Sequence, residues 1–269
     1  MLAVLSRIRA AAEFLARHGR SVRGEPGVVR VGGVVVLLAG VLRRMIQAIV
    51  YDAVGTLMHV NPSVEAVYAD VGRRFGSRLE AAEIRARFRG AFALQDRLDE
   101  AAGWRTSEER ERERWRTIVG QVLDDVADAD GCFDVLYAAF TKAEAWAFDP
   151  EWEAVSAHFQ ERGLRQALAS NFDGRLHGIL ASMPAAERIE HVVVSSEVGW
   201  RKPAREFFAH LLATLRLPAE EILFVGDDLV NDYEAARAMG MRAMLLDPAG
   251  IYRDSGAATV DRLGILTGV

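Results

Sequence analysis

A single cysteine, Cys132, is all the thiol that this chain of 269 residues carries. An internal disulfide framework is therefore excluded, and outside any His or Cys cluster Cys132 cannot anchor a thiolate metal site. Such usage fits a reducing compartment, so a cytoplasmic location is expected, with Cys132 an ordinary residue near a helix start. Long apolar runs are also missing. The stretch from Val31 to Leu42 spans 12 residues, three of them glycine, against about 20 for a membrane-crossing helix. It makes a poor secretory signal as well, because the charged stretch ahead of it is too long and Arg43-Arg44 stands where small residues would be cleaved. No membrane partner is expected.

Positive charge is scarce over most of the sequence. Of the 33 Lys and Arg, eight fall in residues 1–44, where Glu13 and Glu25 are the acids; the remainder holds 25 basic against 36 acidic residues. An acidic body argues against nucleic acid as a partner. There is no internal repeat and no low-complexity tract. The shift in composition, with Met45 just ahead of the first apolar strand, marks residues 1–44 as an N-terminal extension that the fold is not expected to need.

What the chain does have is a well-filled core composition, 51% hydrophobic and 26% charged, suited to one or two domains. Ala48-Ile49-Val50-Tyr51 reads as a short buried strand, broken at once by Asp52-Ala53-Val54-Gly55-Thr56-Leu57. Residues from Asn61 to about Phe148 read as helical throughout: Tyr68, Val71 and Phe75 share a face, and Trp115, Ile118, Val119, Val122, Leu123 and Val126 recur at helical spacing behind a capping box at Thr106-Ser107-Glu108-Glu109. The charge run from Glu109 to Arg116 reads as the solvated face of that helix. From Asp149-Pro150 onward, apolar strands near 165–170, 191–195, 222–226 and 242–246 alternate with amphipathic helices, which predicts parallel βαβ units. The fold class is thus α/β: a Rossmann-like, doubly wound parallel sheet formed by 45–60 and 149–269, with a helical cap inserted at 61–148.

In such a sheet, ligands bind beyond the carboxyl ends of the strands. Four of those ends carry polar groups: Asp52 with Thr56, Ser170 with Asn171, Lys202 ahead of Pro203, and Gly226-Asp227-Asp228 with Asp232. A lone Asp after a strand is ordinarily a turn or cap residue, Ser170 could cap the helix beginning near Gly174, and Asp232 could be an N-terminal helix charge. Four motifs in order are a more specific signal than any of them alone.

This set resembles the haloacid dehalogenase superfamily from Met45 to about Leu246, and the Ser-Asn-Phe-Asp-Gly-Arg-Leu and Val-Gly-Trp-Arg-Lys-Pro wording is similar to its domain-containing-protein-3 subgroup. The resemblance implies a hydrolase of a small phosphorylated metabolite, with Asp52 as nucleophile and a Mg²⁺ ion held by Asp52, Asp227 and the backbone carbonyl of Val54. Lys202 would offset charge on the nucleophile and the phosphoryl group, Ser170, Asn171 and Thr56 would complete the catalytic set, and Asp228 or Asp232 would orient Lys202 or the metal's water. Phosphatases of the superfamily usually carry a second Asp where this chain has Val54, and general acid-base help is worth about 10² to 10⁴ in rate, so slow turnover is expected. Metal-independent dehalogenases of short 2-haloacids also lack that Asp, but their last motif resembles Ser-Ser-Asn, where this chain has Leu229 and a metal-type Asp227; Arg89 is a weak match to their carboxylate-binding Arg. A binding protein that has lost the chemistry is the third reading.

Overall fold

Strand β3 (Ala48–Tyr51) is buried on both faces, and its alternation assigns successive residues to opposite layers. Before it, in a computed structural model that describes residues 28–31, 34–37 and 46–268, β1 (Val28–Val31) pairs antiparallel with β2 (Val34–Leu37). The chain divides into two units, Met1–Arg44 and Met45–Val269. The expectation that residues 1–44 are a dispensable extension lies mostly outside the described residues. Within them, no helix is long and apolar enough to cross a membrane.

After β3 come β4 (Met58–Val60), four helices, α1 (Val64–Arg74), α2 (Ala81–Ala101), α3 (Glu108–Val122) and α4 (Ala129–Ala139), and then β5 (Trp146–Phe148). Alternation follows: α5 (Trp152–Glu161), β6 (Arg165–Ser170), α6 (Arg175–Ala181), β7 (His191–Val194), α7 (Ser195–Val198), α8 (Arg205–Leu215), β8 (Ile222–Gly226), a π-helical turn at Leu229–Glu234 continuing into α9 (Ala235–Ala238), β9 (Arg242–Leu246) and β10 (Thr259–Val260). Six of these strands form a parallel sheet in the order β10-β9-β8-β3-β6-β7. An α/β fold with a doubly wound parallel sheet is the architecture the alternating pattern predicts.

Both faces of the sheet are covered. Ile49, Tyr51, Leu168 and Val225 pack with Trp152, Val155, Phe159 and Leu176 on one side, while Ala48, Val50, Ala167 and Phe224 meet Phe207, Phe208, Leu211 and Leu215 on the other. Each fully buried Ile, Leu or Phe stabilises the fold by roughly 1.5–3 kcal/mol. A third cluster, built from Tyr68, Ile84, Ile118, Val122, Phe133 and Leu136, holds α1 to α4 together.

Two expectations need correction here. The segment from Asn61 to Phe148 is not helical throughout, because Trp146–Phe148 pairs antiparallel with Met58–Val60. Three residues are too few for a period to show in sequence, and pairing satisfies backbone groups at the point where the chain leaves and rejoins the sheet. Nor is the Glu109-to-Arg116 run all solvated: Glu111 and Arg114 are each 1% exposed. They lie on the same stripe of α3 as Ile118 and Val122, and their charges are met by Arg201, Asp96 and Asp99.

Candidate active site

The carboxyl ends of β3, β6 and β8 converge because β3 lies between the other two in register. Asp52 follows β3 directly, its amide donating to Val225 O at 2.8 Å, which ties the residue to the neighbouring strand. The chain then turns back on itself, with the amides of Leu57 and Met58 both donating to Ala53 O. Gly55 makes this turn possible twice over: its φ is +98°, and a Cβ there would stand 2.4 Å from Asp227 Oδ2. Gly226 performs a like service for β8, since a Cβ on it would lie 2.2 Å from Asp232 Oδ2. Small residues thus let carboxylates close on the backbone from two directions.

Lys202 joins the pieces. Its side chain is 2% exposed, and Nζ donates to Asp52 Oδ1 and Asp232 Oδ1, each at 2.6 Å, and to Ala169 O at 3.0 Å. Burial by itself favours the neutral amine, but the carboxylates of Asp232 and Asp52 outweigh it and hold the pKa above that of an ordinary lysine. At that burial Lys202 is no surface lysine. Asp232 is likewise no exposed helix-end charge. It is 2% exposed, takes a hydrogen bond from the Asp228 amide at 3.1 Å, and burial pushes its pKa up to about 7.

Asp227 stands beside Asp52. Burial first, and the charge of Asp52 second, push it up to about 6, while Thr56 Oγ1 donates to its Oδ1 at 3.0 Å. One oxygen from each of Asp52, Asp227 and Asp232 can be chosen so that all lie within 4.8 Å of one another. Hard oxygen donors clustered this closely, with Lys202 the nearby cation, match what a Mg²⁺ ion prefers. Val54, the residue expected to contribute a carbonyl, is 39% exposed.

Other expected residues take different positions. The Asn171 side chain clamps the backbone of Lys202, Nδ2 donating to Lys202 O at 2.9 Å and Lys202 N donating to Asn171 Oδ1 at 2.7 Å. Both ends of its amide are thus engaged by the backbone of Lys202. Asp228 does not reach Lys202: its Oδ1 accepts from the amides of Val230 and Asn231 and caps the turn that follows. Ser170 is buried at the end of β6 and does not cap α6, which begins after Gly174 with no side-chain cap. Arg89 is exposed on α2.

Sequence reasoning missed the ionic support behind Lys202. Arg201 packs against Glu111, with Nε 3.6 Å from Asp99 Oδ2, and its amide donates to Trp104 O at 2.8 Å. The spacing of Glu111 and Arg114 with Ile118 was the available signal.

Comparison with known proteins agrees with this geometry. A family model described as haloacid dehalogenase-like hydrolase matches residues 46–240. The haloacid dehalogenase-like hydrolase domain-containing protein 3 of Xenopus laevis is 30% identical over 208 residues, 76% of this chain and 85% of that protein. A phosphoserine phosphatase of Thermus thermophilus is 27% identical, covering 82% of this chain and 96% of its own. Among solved structures, the magnesium-bound HAD-hydrolase YfnB of Bacillus subtilis superposes with a TM-score of 0.67 at 14% identity, over 83% of this chain and 98% of that one.

Proposed function

The chain belongs to the haloacid dehalogenase-like hydrolases, and from that premise we propose that it cleaves a phosphomonoester of a small molecule with Asp52 as the phosphoryl acceptor. The observation that carries the reading is the group of buried Asp52, Lys202 and Asp232 with half-buried Asp227 at the sheet's carboxyl edge. A carboxylate attacking an anionic phosphate needs local positive charge. Lys202 supplies it while holding Asp52 in place, and Asp232 fixes Lys202 from the far side.

Asp52, Asp227 and the Val54 carbonyl would hold Mg²⁺, which when bound adds charge neutralisation for the transferring phosphoryl group. Thr56, now donating to Asp227, stays within the same turn and can keep that carboxylate oriented. Asn171 sets the height of Lys202 by gripping its backbone, and Ser170, a buried hydroxyl at the end of β6, would donate to the phosphoryl oxygens. The relative named a phosphoserine phosphatase supports the reaction class, and a small phosphorylated metabolite is the corresponding partner.

Val54 keeps a second reaction in view, metal-independent dehalogenation of a 2-haloacid, but Asp227 beside Asp52 would be a poor neighbour for an anionic substrate without a cation. Phosphate release from a metabolite panel in the presence of Mg²⁺, abolished in Asp52→Asn, tests the proposal. Halide release that persists in chelator would replace it with the second reaction, and tight binding of a metal fluoride with no ester turnover would indicate a binding protein.

A further inference from the structure

A cavity of about 410 Å³ opens against Val54, Asn171 and Phe172, the residues next after Asp52 and Ser170 on the sheet side. Its remaining walls come mostly from the helices, with β4 and β5, and are rich in aromatic rings: Tyr68, Phe88, Phe92, Trp115, Phe140 and Trp146 all line it among aliphatic side chains. Phe88 and Phe92 stack with ring centroids 5.9 Å apart, so the wall is ordered by ring contacts. Three charged side chains line it. Arg175 is held by Asp173 through bonds of 2.7 Å from both Nε and Nη2, and Asp96 accepts from Arg114 at 2.5 Å. Arg89 is exposed. A sugar or amino-acid moiety placed here would lose water from its hydroxyls or ammonium and meet carbon in exchange.

The same surface offers no carboxylic acid free to protonate a leaving group, and its Tyr68 hydroxyl holds its proton more tightly than an ordinary phenol because burial raises its pKa. Val54 presents methyl groups where the leaving oxygen would depart, the carboxylate of Asp96 is committed to Arg114, and the Tyr137 hydroxyl donates to Asp173 at 3.4 Å. Without a proton, an alkoxide must leave as a base comparable to hydroxide, whose conjugate acid has a pKa of about 15.7. A phenolate leaves far more readily, because a phenol ionises near pH 10.

We propose that the natural substrate is a phosphomonoester of a phenol, with its ring seated in this cavity. The inference rests on the reading of Asp52 as phosphoryl acceptor. A carboxylate oxygen of Asp52 bonds to phosphorus while the bond from phosphorus to the aryl oxygen breaks, its electron pair leaving with that oxygen as a phenolate. Water then bonds to phosphorus, the bond from phosphorus to Asp52 breaks with its electron pair returning to the carboxylate, and both protons of the water leave with the inorganic phosphate as dihydrogen phosphate. Both steps balance without any residue acting as acid.

The test is kcat/KM of the full chain with Mg²⁺ on 2-naphthyl phosphate, phenyl phosphate and glycerol 3-phosphate. The two aryl esters have leaving groups of similar acidity, so a difference between them reports the cavity and not bond reactivity. The naphthyl ester is expected to exceed the phenyl ester about tenfold, as expected for extra apolar surface in a matching pocket. Both should exceed glycerol 3-phosphate at least about hundredfold, the scale of the missing acid. Ala93→Trp, at the exposed rim of the cavity, should raise KM for the naphthyl ester more than for the phenyl ester. Glycerol 3-phosphate cleaved as well as the aryl esters would overturn the inference and leave Asp52 as acceptor. Equal rates on the two aryl esters, with Ala93→Trp moving neither KM, would overturn it in the same way. Release from none of the three overturns it together with the phosphatase reading beneath it.

Discussion

Arg201 and Glu111, 90 positions apart, form a buried ion pair, their side chains 4% and 2% exposed. One belongs to the segment that ends in Lys202 and the other to helix α3, so the backbone carrying the lysine is anchored to the helical insertion as well as to the sheet. Arg105 extends the contact, its guanidinium 5.2 Å above the ring of Trp200.

Removing one member of such a pair leaves the other charge buried without its partner. Glu111→Ala is expected to cost about 3 kcal/mol of unfolding free energy, as is typical for a broken buried pair. Glu113→Ala, on the exposed side of the same helix, should stay within about 0.5 kcal/mol. Urea denaturation of both variants checks this, and equal midpoints would show that the pair contributes nothing.

Asn171→Ala removes the two hydrogen bonds that grip the Lys202 backbone. Turnover should fall about 100-fold if the lysine shifts by as little as about 1 Å, with a stability loss of only about 1–2 kcal/mol. The informative pattern is a drop in kcat well beyond what the thermal shift accounts for. Asn171→Asp keeps one acceptor for the Lys202 amide and should recover part of the rate.

Lys202→Met leaves Asp52 and Asp232 facing each other in a buried site. The folded pKa of Asp232, about 7, already lies above the unfolded value of about 3.9. Its ionisation therefore costs the fold nothing below about pH 4 and the full amount above about pH 7, and loss of the lysine enlarges that cost. The variant should be less stable than the parent by about 3 kcal/mol at pH 8 and by much less at pH 5. A penalty independent of pH, measured by thermal unfolding, would contradict this.

Metal binding should show the matching dependence. Asp227 has a folded pKa of about 6, again above its unfolded value, so the metal-free fold loses stability as pH rises from about 4 to 6 and none further above that. Mg²⁺ competes with the proton on Asp227, so its stabilisation should be small at pH 5 and full at pH 7.5. At about 100 times Kd it amounts to about 2.7 kcal/mol. Asp227→Asn should abolish the shift at both pH values.

Val54→Asp introduces a carboxylate at a position 39% exposed, where the fold should accept it. Phosphate release from alkyl esters is expected to rise about 10²- to 10⁴-fold. The gain on phenyl phosphate should be much smaller, because a phenolate needs little help to leave. Comparing the two substrates in one variant separates a missing acid from a missing site.

Much of this architecture is written in local pattern. Apolar runs of four to six residues, each followed by a polar group, determined the parallel sheet and the strand ends at Asp52, Ser170 and Asp227, because a strand buried on both faces must be apolar along its length. The insertion of α1 to α4 was equally legible from helical periodicity.

What the chain alone left open depends on partners distant in sequence. Asn171 and Asp228 look like site residues in the motifs, yet one grips a backbone 31 positions away and the other caps its own turn. Glu111 and Arg114 look like a solvated face, and only packing against Arg201 and Asp99 makes them buried. The sequence determined which groups stand at the ends of the strands. Tertiary structure decided which of them meet: Lys202 gains its raised pKa from the carboxylates of Asp232 and Asp52 in spite of burial, and Asp227 and Asp232 gain theirs chiefly from desolvation, in surroundings that exist only once the sheet has formed.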